Sequence, residues 1–86
     1  MISQEVQIKN KSGLHARPAA LFVKEANKFK SEIRLRNGAK EVNGKSMLSL
    51  LTLEAYKGVT VEIKSTGEDE KDALQALVNL LAVVEE

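Results

Sequence analysis

Apolar residues recur along this chain with two different periods, and the changes of period mark the elements. "QEVQIK" at 4–9 alternates, with Val6 and Ile8 on one side, as a half-buried strand does. "NKSGLH" interrupts it. From Ala16 to about Phe29, the residues Ala19, Phe22, Val23, Ala26 and Phe29 follow i, i+3, i+4 spacing with Lys24 and Lys28 on the opposite side, which predicts an amphipathic helix. "SEIRLRNGAKEVN" sets Ile33, Leu35 and Val42 at alternating positions around Asn37-Gly38, a pair that readily takes positive φ, and so predicts a hairpin. "GKSMLSLLTLEAYKG" begins at a capping-type Ser46 and ends before Gly58; the spacing of Met47, Leu50 and Leu51 predicts a brief helix. "VTVEIKS" turns Val59, Val61 and Ile63 to one side. The last stretch opens at Thr66 with a cluster of acids and then places Ala73, Leu74, Leu77, Val78, Leu81 and Val84 on one helical face. Acids suit the positive start of a helix.

The predicted order is β-α-β-β-α-β-α, with no linker, repeat or low-complexity segment. Each strand offers one apolar face, so all three helices must cover the same side of the sheet. The expected fold is α+β, an open-faced sandwich of a four-stranded antiparallel sheet with three helices on one face. The other face carries Thr60, Glu62 and Lys64 and is expected to meet water.

Composition narrows the function classes. With 86 residues, residues 1–86 are expected to form a single domain around one core. A chain 43% apolar and 29% charged reads as globular. No apolar run approaches the ~20 residues of a spanning helix, and the first residues alternate and carry charge, so a cytoplasmic location away from membranes is expected. The absence of cysteine excludes disulfides, thiol catalysis and thiolate metal sites, and a single histidine is poor material for a metal centre. Neither metal nor cofactor is expected.

Charge is uneven along the chain although the net is only +1. Residues 1–57 hold eleven Lys or Arg against five Glu, while residues 58–86 hold two Lys against seven Asp or Glu. The basic part suits an acidic partner or a phosphate. A near-neutral total argues against nucleic acid. The three aromatics, Phe22, Phe29 and Tyr56, form no base-stacking platform.

"SGLHARPAALF" at 12–22 places His15 at the N-cap of the first predicted helix. The N–H groups of Ala16 and Arg17 there have no acceptor inside the helix, and Pro18 has no N–H to satisfy. Histidine is a poor cap, so the position gives up local stability. The partial positive charge of a helix start disfavours imidazolium, and a neutral ring has a lone pair for nucleophilic attack. The same N–H groups attract an anion, phosphate above all, and the Arg17 guanidinium can hold phosphoryl oxygens bidentately. No second histidine, cysteine or Walker-type loop accompanies them. The arrangement suits phosphoryl transfer onto nitrogen.

"GLHARPAA" at 13–20, "VNGKS" at 42–46 and "GEDEKDAL" at 67–74 resemble, at matching spacing over the whole chain, the histidine-containing phosphocarrier family HPr of the bacterial phosphoenolpyruvate-dependent sugar phosphotransferase system. The resemblance implies that His15 takes a phosphoryl group on Nδ1 from phosphorylated enzyme I and hands it to enzyme IIA domains of sugar permeases. The carrier would be consumed and regenerated and would not be an enzyme. Arg17 would clamp the phosphoryl group and the backbone at Ala16 would complete the anion site. Partners would dock on Ala20, Lys24, Met47, Leu48 and Leu51. Ser46 corresponds to the serine that an HPr kinase/phosphorylase modifies in many members, creating a ligand for a catabolite-control regulator. This chain reads "KSMLSLLTLE" where kinase-regulated members read "KSIMGVMSLG", with Ser49 and Glu54 at two positions commonly glycine. Chain ends reach the active site in some members, which makes Glu85 and Glu86 candidates for the same. A monomer is expected. The alternatives are a nitrogen-type or regulatory paralogue, and a module that binds anions or partners without covalent chemistry.

Overall fold

A computed structural model of the chain describes residues 1–11 and 13–83. The alternating segments pair as strands because each has one apolar side to bury: β1 (Ile2–Gln7), β2 (Glu32–Asn37), β3 (Lys40–Asn43) and β4 (Thr60–Thr66) form one sheet in the order β1-β4-β2-β3. All three pairings are antiparallel, with Val6 opposite Val61, Leu35 opposite Ile63 and Leu35 opposite Val42. The helices are α1 (Ala16–Ala26), α2 (Met47–Leu51) and α3 (Glu70–Val83). Val61, Ile63, Ile33, Leu35 and Val42 from the sheet meet Phe22, Ala19, Leu50, Ala73 and Leu77 from the helices in the buried core. This is the expected open-faced α+β sandwich.

The opposite face is polar and laced with ion pairs. Glu41 accepts from Lys64 at 2.8 Å and from Arg34 at 3.3 Å, and Glu62 pairs with Arg36 at 2.8 Å. The Lys64 hydrogen bond and then that of Arg34 lower the pKa of Glu41; Arg36 and then Ser3 lower that of Glu62. These groups are solvated, so the network secures register and solubility more than stability.

Several boundaries differ from the sequence reading. The first strand runs Ile2–Gln7 and not over 4–9, Ile8 only extending its pairing to β4, and β4 is shifted one residue on, to Thr60–Thr66. The first helix stops at Ala26 and not near Phe29, because Asn27 caps it: its side chain and its backbone N–H both bond the Val23 carbonyl at 2.9 Å. Lys28 and Phe29 then close tighter turns on Glu25 and Ala26, and Phe29 packs against the core from outside the helix. In the hairpin, Asn37 belongs to β2 opposite Lys40, so the two-residue turn is Gly38-Ala39 with positive φ only at Gly38. That is the type II′ pattern, which needs glycine first. Thr66 remains in β4 opposite Glu32, and the last helix begins at Glu70. Val84, Glu85 and Glu86 lie outside the described residues, as does Ser12. Among the described residues no helix is long and apolar enough to cross a membrane.

Candidate functional site

The site is built at the end of the sheet where β1 finishes. Pairing continues one residue beyond β1, with Ile8 donating to Val59 at 2.8 Å and accepting from Gly58 at 2.7 Å. The chain then turns towards α1 and lies against the segment that follows α2. Gly13 takes φ +69°, and a Cβ there would stand 2.6 Å from the Ala55 carbonyl oxygen and 2.8 Å from Tyr56 Cα. Only glycine fits so close a backbone approach in a left-handed conformation. Leu14 donates to the Ala55 carbonyl at 2.8 Å and buries its side chain in the core. His15 leaves this clamp in extended conformation as the N-cap of α1, its N–H on the Gly13 carbonyl at 3.0 Å and its own carbonyl accepting from Ala19 at 2.9 Å.

The imidazole does not cap the helix. Nε2 is sealed from solvent and bonds nothing among the described residues, whereas Nδ1 is not among the sealed, unbonded atoms. The first turn of α1 contains no acid and has Pro18 buried as its third residue, so nothing anionic in that turn competes at the positive helix end. Ala16 and Arg17 occupy that turn and are exposed. Arg17, Ala20 and Lys24 follow at i, i+3 and i+7, which puts them on one exposed face of α1.

Beside α1, α2 presents Leu48, 76% exposed, and Leu51, 43% exposed, while Met47 is half-buried against the core. Of the expected docking residues, Ala20, Lys24, Leu48 and Leu51 are exposed and Met47 is half-buried. Two further large apolar residues are exposed without having been singled out as surface: Leu21 on α1 and Tyr56, 62% exposed, whose backbone lies close against Gly13. For Leu21 the signal was legible, since the Ala19, Phe22, Val23, Ala26 face leaves position 21 outside.

Ser46 is the N-cap of α2; its Oγ accepts from Ser49 N–H at 3.3 Å and its carbonyl from Leu50 N–H at 3.0 Å. It stands at the other end of α2 from the Ala55 segment that touches Gly13 and Leu14. Between them, Glu54 takes φ +58°. A side chain is disfavoured there. The bend is secured from the β2–β3 hairpin: Asn37 Nδ2 donates to the Leu53 carbonyl at 3.1 Å and the Glu54 carbonyl at 3.4 Å, and Lys40 Nζ to the Thr52 carbonyl at 2.6 Å. It aims the Ala55 carbonyl at Leu14.

The acids of "GEDEKD" have a structural task that sequence reading missed. Asp69 accepts from Ser31 Oγ at 2.5 Å and from the N–H groups of Lys30 and Ser31 at 2.9 Å each, and these bonds, Ser31 Oγ foremost, hold its carboxyl down at about 2. An open groove runs along residues 67–72, but its carboxylates suit no anion and it contains none of the residues around His15. Among the described residues no cluster of three or more His, Asp or Glu could hold a metal.

Comparison with known proteins agrees with the geometry. The family described as the PTS HPr component phosphorylation site matches residues 2–83. The phosphocarrier protein HPr of Haemophilus influenzae is 45% identical over 85 residues, covering 99% of this chain and all of that one. The HPr-like protein Crh of Bacillus subtilis is 47% identical over 77 residues, covering 90% and 91%; a crystal structure of that Crh, described as a swapped-domain dimer, superposes with a TM-score of 0.78 at 44% identity over 95% and 94% of the two chains. HPr from Thermoanaerobacter tengcongensis superposes with a TM-score of 0.92 at 45% identity, covering 95% and 92%. A histidine held at a helix start beside an exposed apolar surface, on this sheet order and at this similarity, places the chain in the HPr family of the phosphotransferase system.

Proposed function

We propose that this protein is a phosphocarrier: His15 accepts a phosphoryl group from phosphorylated enzyme I, derived from phosphoenolpyruvate, and passes it to enzyme IIA domains of sugar permeases. The observation that carries this reading is the state of the His15 ring, which sits at a helix start with Nε2 closed off and no cap bond occupying it. In the tautomer with the proton on Nε2, the Nδ1 lone pair attacks phosphorus. As the N–P bond forms, the bond to the donor breaks and its electron pair returns to the donor. Ala16 and Arg17 amides and the Arg17 guanidinium stabilise the phosphoryl oxygens during both transfers. The reverse geometry releases the group to the acceptor, so the protein turns over stoichiometrically and needs no cofactor. Ala20, Lys24, Leu48 and Leu51, with Met47 at the edge, receive both partners in turn, in the cytoplasm, with the chain acting as a monomer.

A second reading rests on the near-equal identity to Crh and on Ser46 as an accessible N-cap: a regulatory role in which an HPr kinase/phosphorylase modifies Ser46 for a catabolite-control regulator. A dianion there would repel an acidic enzyme I surface. A nitrogen-type pathway would keep the chemistry at His15 and change only the partners. Incubation with labelled phosphoenolpyruvate and enzyme I, and separately with labelled ATP and an HPr kinase/phosphorylase, separates these readings. The phosphocarrier takes up one acid-labile equivalent per chain, transferable to an enzyme IIA and lost in a folded His15→Ala variant. Label that persists in that variant, or that is acid-stable on Ser46 alone, overturns the assignment.

A further inference from the structure

Among the described residues His15 Nε2 has no hydrogen-bond partner and the imidazole makes no cap bond, so the backbone that carries the ring has a large part in its aim. The last element before that backbone is Asn10, a carboxamide only 7% exposed. A buried amide is costly unless its donors and acceptors are met. Inside the turn its Nδ2 donates to the Gly13 carbonyl, while the backbone carbonyl of Asn10 accepts from Gly13 N–H at 3.1 Å. The Gly13 carbonyl is the same atom that accepts from His15 N–H at 3.0 Å. One oxygen therefore joins the Asn10 side chain to the His15 backbone.

We infer that Asn10 is a positioning residue for phosphoryl transfer, an inference that rests on the phosphocarrier reading above. Two points separate this role from a general contribution to folding. The sheet does not need the Asn10 side chain, because Ile8 already continues the β1–β4 pairing through Val59 and Gly58. Nor does α1, whose Phe22, Ala19 and Ala26 are anchored in the core and whose Leu14 approach is secured by Ala55. The peptide that links Gly13 to Leu14 is held at both polar ends, its N–H by Ala55 and its oxygen by the Asn10 carboxamide, and it is that oxygen to which His15 N–H donates. Rotation there swings the acceptor of His15 N–H and moves the ring relative to the Ala16 and Arg17 amides. Transfer in line to Nδ1 is sensitive to displacements of about an ångström.

The test uses the full chain as substrate for phosphorylated enzyme I. Asn10→Ala removes the donor, and Asn10→Asp keeps its size while turning the donor into an acceptor that faces the Gly13 carbonyl. Both are expected to lower kcat about tenfold and to leave KM within about twofold, since the docking residues are untouched. Amide exchange of β4 is expected to stay slow in both, while His15 N–H exchange quickens. An unchanged kcat in Asn10→Ala, with the unsubstituted chain taking up phosphate normally, overturns this inference alone. Loss of β4 protection in both variants also overturns it, making Asn10 a structural residue. Failure of the unsubstituted chain to be phosphorylated removes the underlying reading and this inference with it.

Discussion

A methyl group at position 13 would meet two obstacles at once. Gly13→Ala must hold φ +69° and place its Cβ 2.6 Å from the Ala55 oxygen and 2.8 Å from Tyr56 Cα, both backbone atoms that no rotamer change can move. The left-handed conformation costs about 1–2 kcal/mol for an L-residue, and forcing one extra carbon into a closed contact about 1–3 kcal/mol. Lower unfolded-chain entropy returns about 0.4–1 kcal/mol, leaving a net loss of roughly 2–4 kcal/mol. For a domain of this length that is a fall in Tm of roughly 10–25 °C. Gly38→Ala is the internal control. It has φ +61° but nothing within 4 Å of an added Cβ, so it bears the conformational cost alone, about 0.5–1.5 kcal/mol. Thermal and urea unfolding followed by circular dichroism measure both. If Gly13→Ala loses no more stability than Gly38→Ala, the close packing of the His15 loop on residues 55–56 is wrong, and with it the account of how the ring is held.

Other outcomes follow from single residues. Glu54→Gly should raise stability by about 0.5–1 kcal/mol in urea titrations by relieving the left-handed conformation; a loss would mean that position is unstrained. Asp69 has a folded pKa of about 2, depressed from the ordinary ~3.9, so its contribution is fully present above about pH 4 and disappears as pH falls through about 2. Asp69→Asn should flatten that part of the pH dependence of the urea midpoint, and an unaltered acid slope would refute the bonds to Ser31 and Lys30. Leu48→Ala, at a side chain 76% exposed, should leave stability within about 0.5 kcal/mol while raising KM with enzyme I roughly tenfold; the reverse pattern would place Leu48 in the core.

Much of this was legible because local periodicity and tertiary burial agree here. Val61 and Ile63 alternate with Glu62 and Lys64, and the sheet buries the first pair and solvates the second. His15 stood out because a poor cap was found where a good one was expected, beside a proline that needs no partner. What escaped were features created by residues distant in sequence. Asp69 read as one acid among several because its partners lie 38 and 39 positions away, beyond any local pattern. Glu54 showed its left-handed bend only through standing where the resembled family commonly has glycine, and the grip of Asn37 and Lys40 on the neighbouring carbonyls from another hairpin left no local pattern. Asn37 itself looked like a turn residue, and its role in that grip follows from its being the last residue of β2. Asn10 was indistinguishable from any polar loop residue until its carboxamide was found buried against the Gly13 carbonyl.

The central claim is that Nδ1 of His15 carries the phosphoryl group. Phosphorus and nitrogen NMR of the chain labelled with ¹⁵N-histidine, phosphorylated by enzyme I and phosphoenolpyruvate, assigns the bond to one ring atom. The account predicts a single P–N bond at Nδ1 of His15. A bond at Nε2, the nitrogen the fold seals, or no phosphohistidine at all, would contradict it.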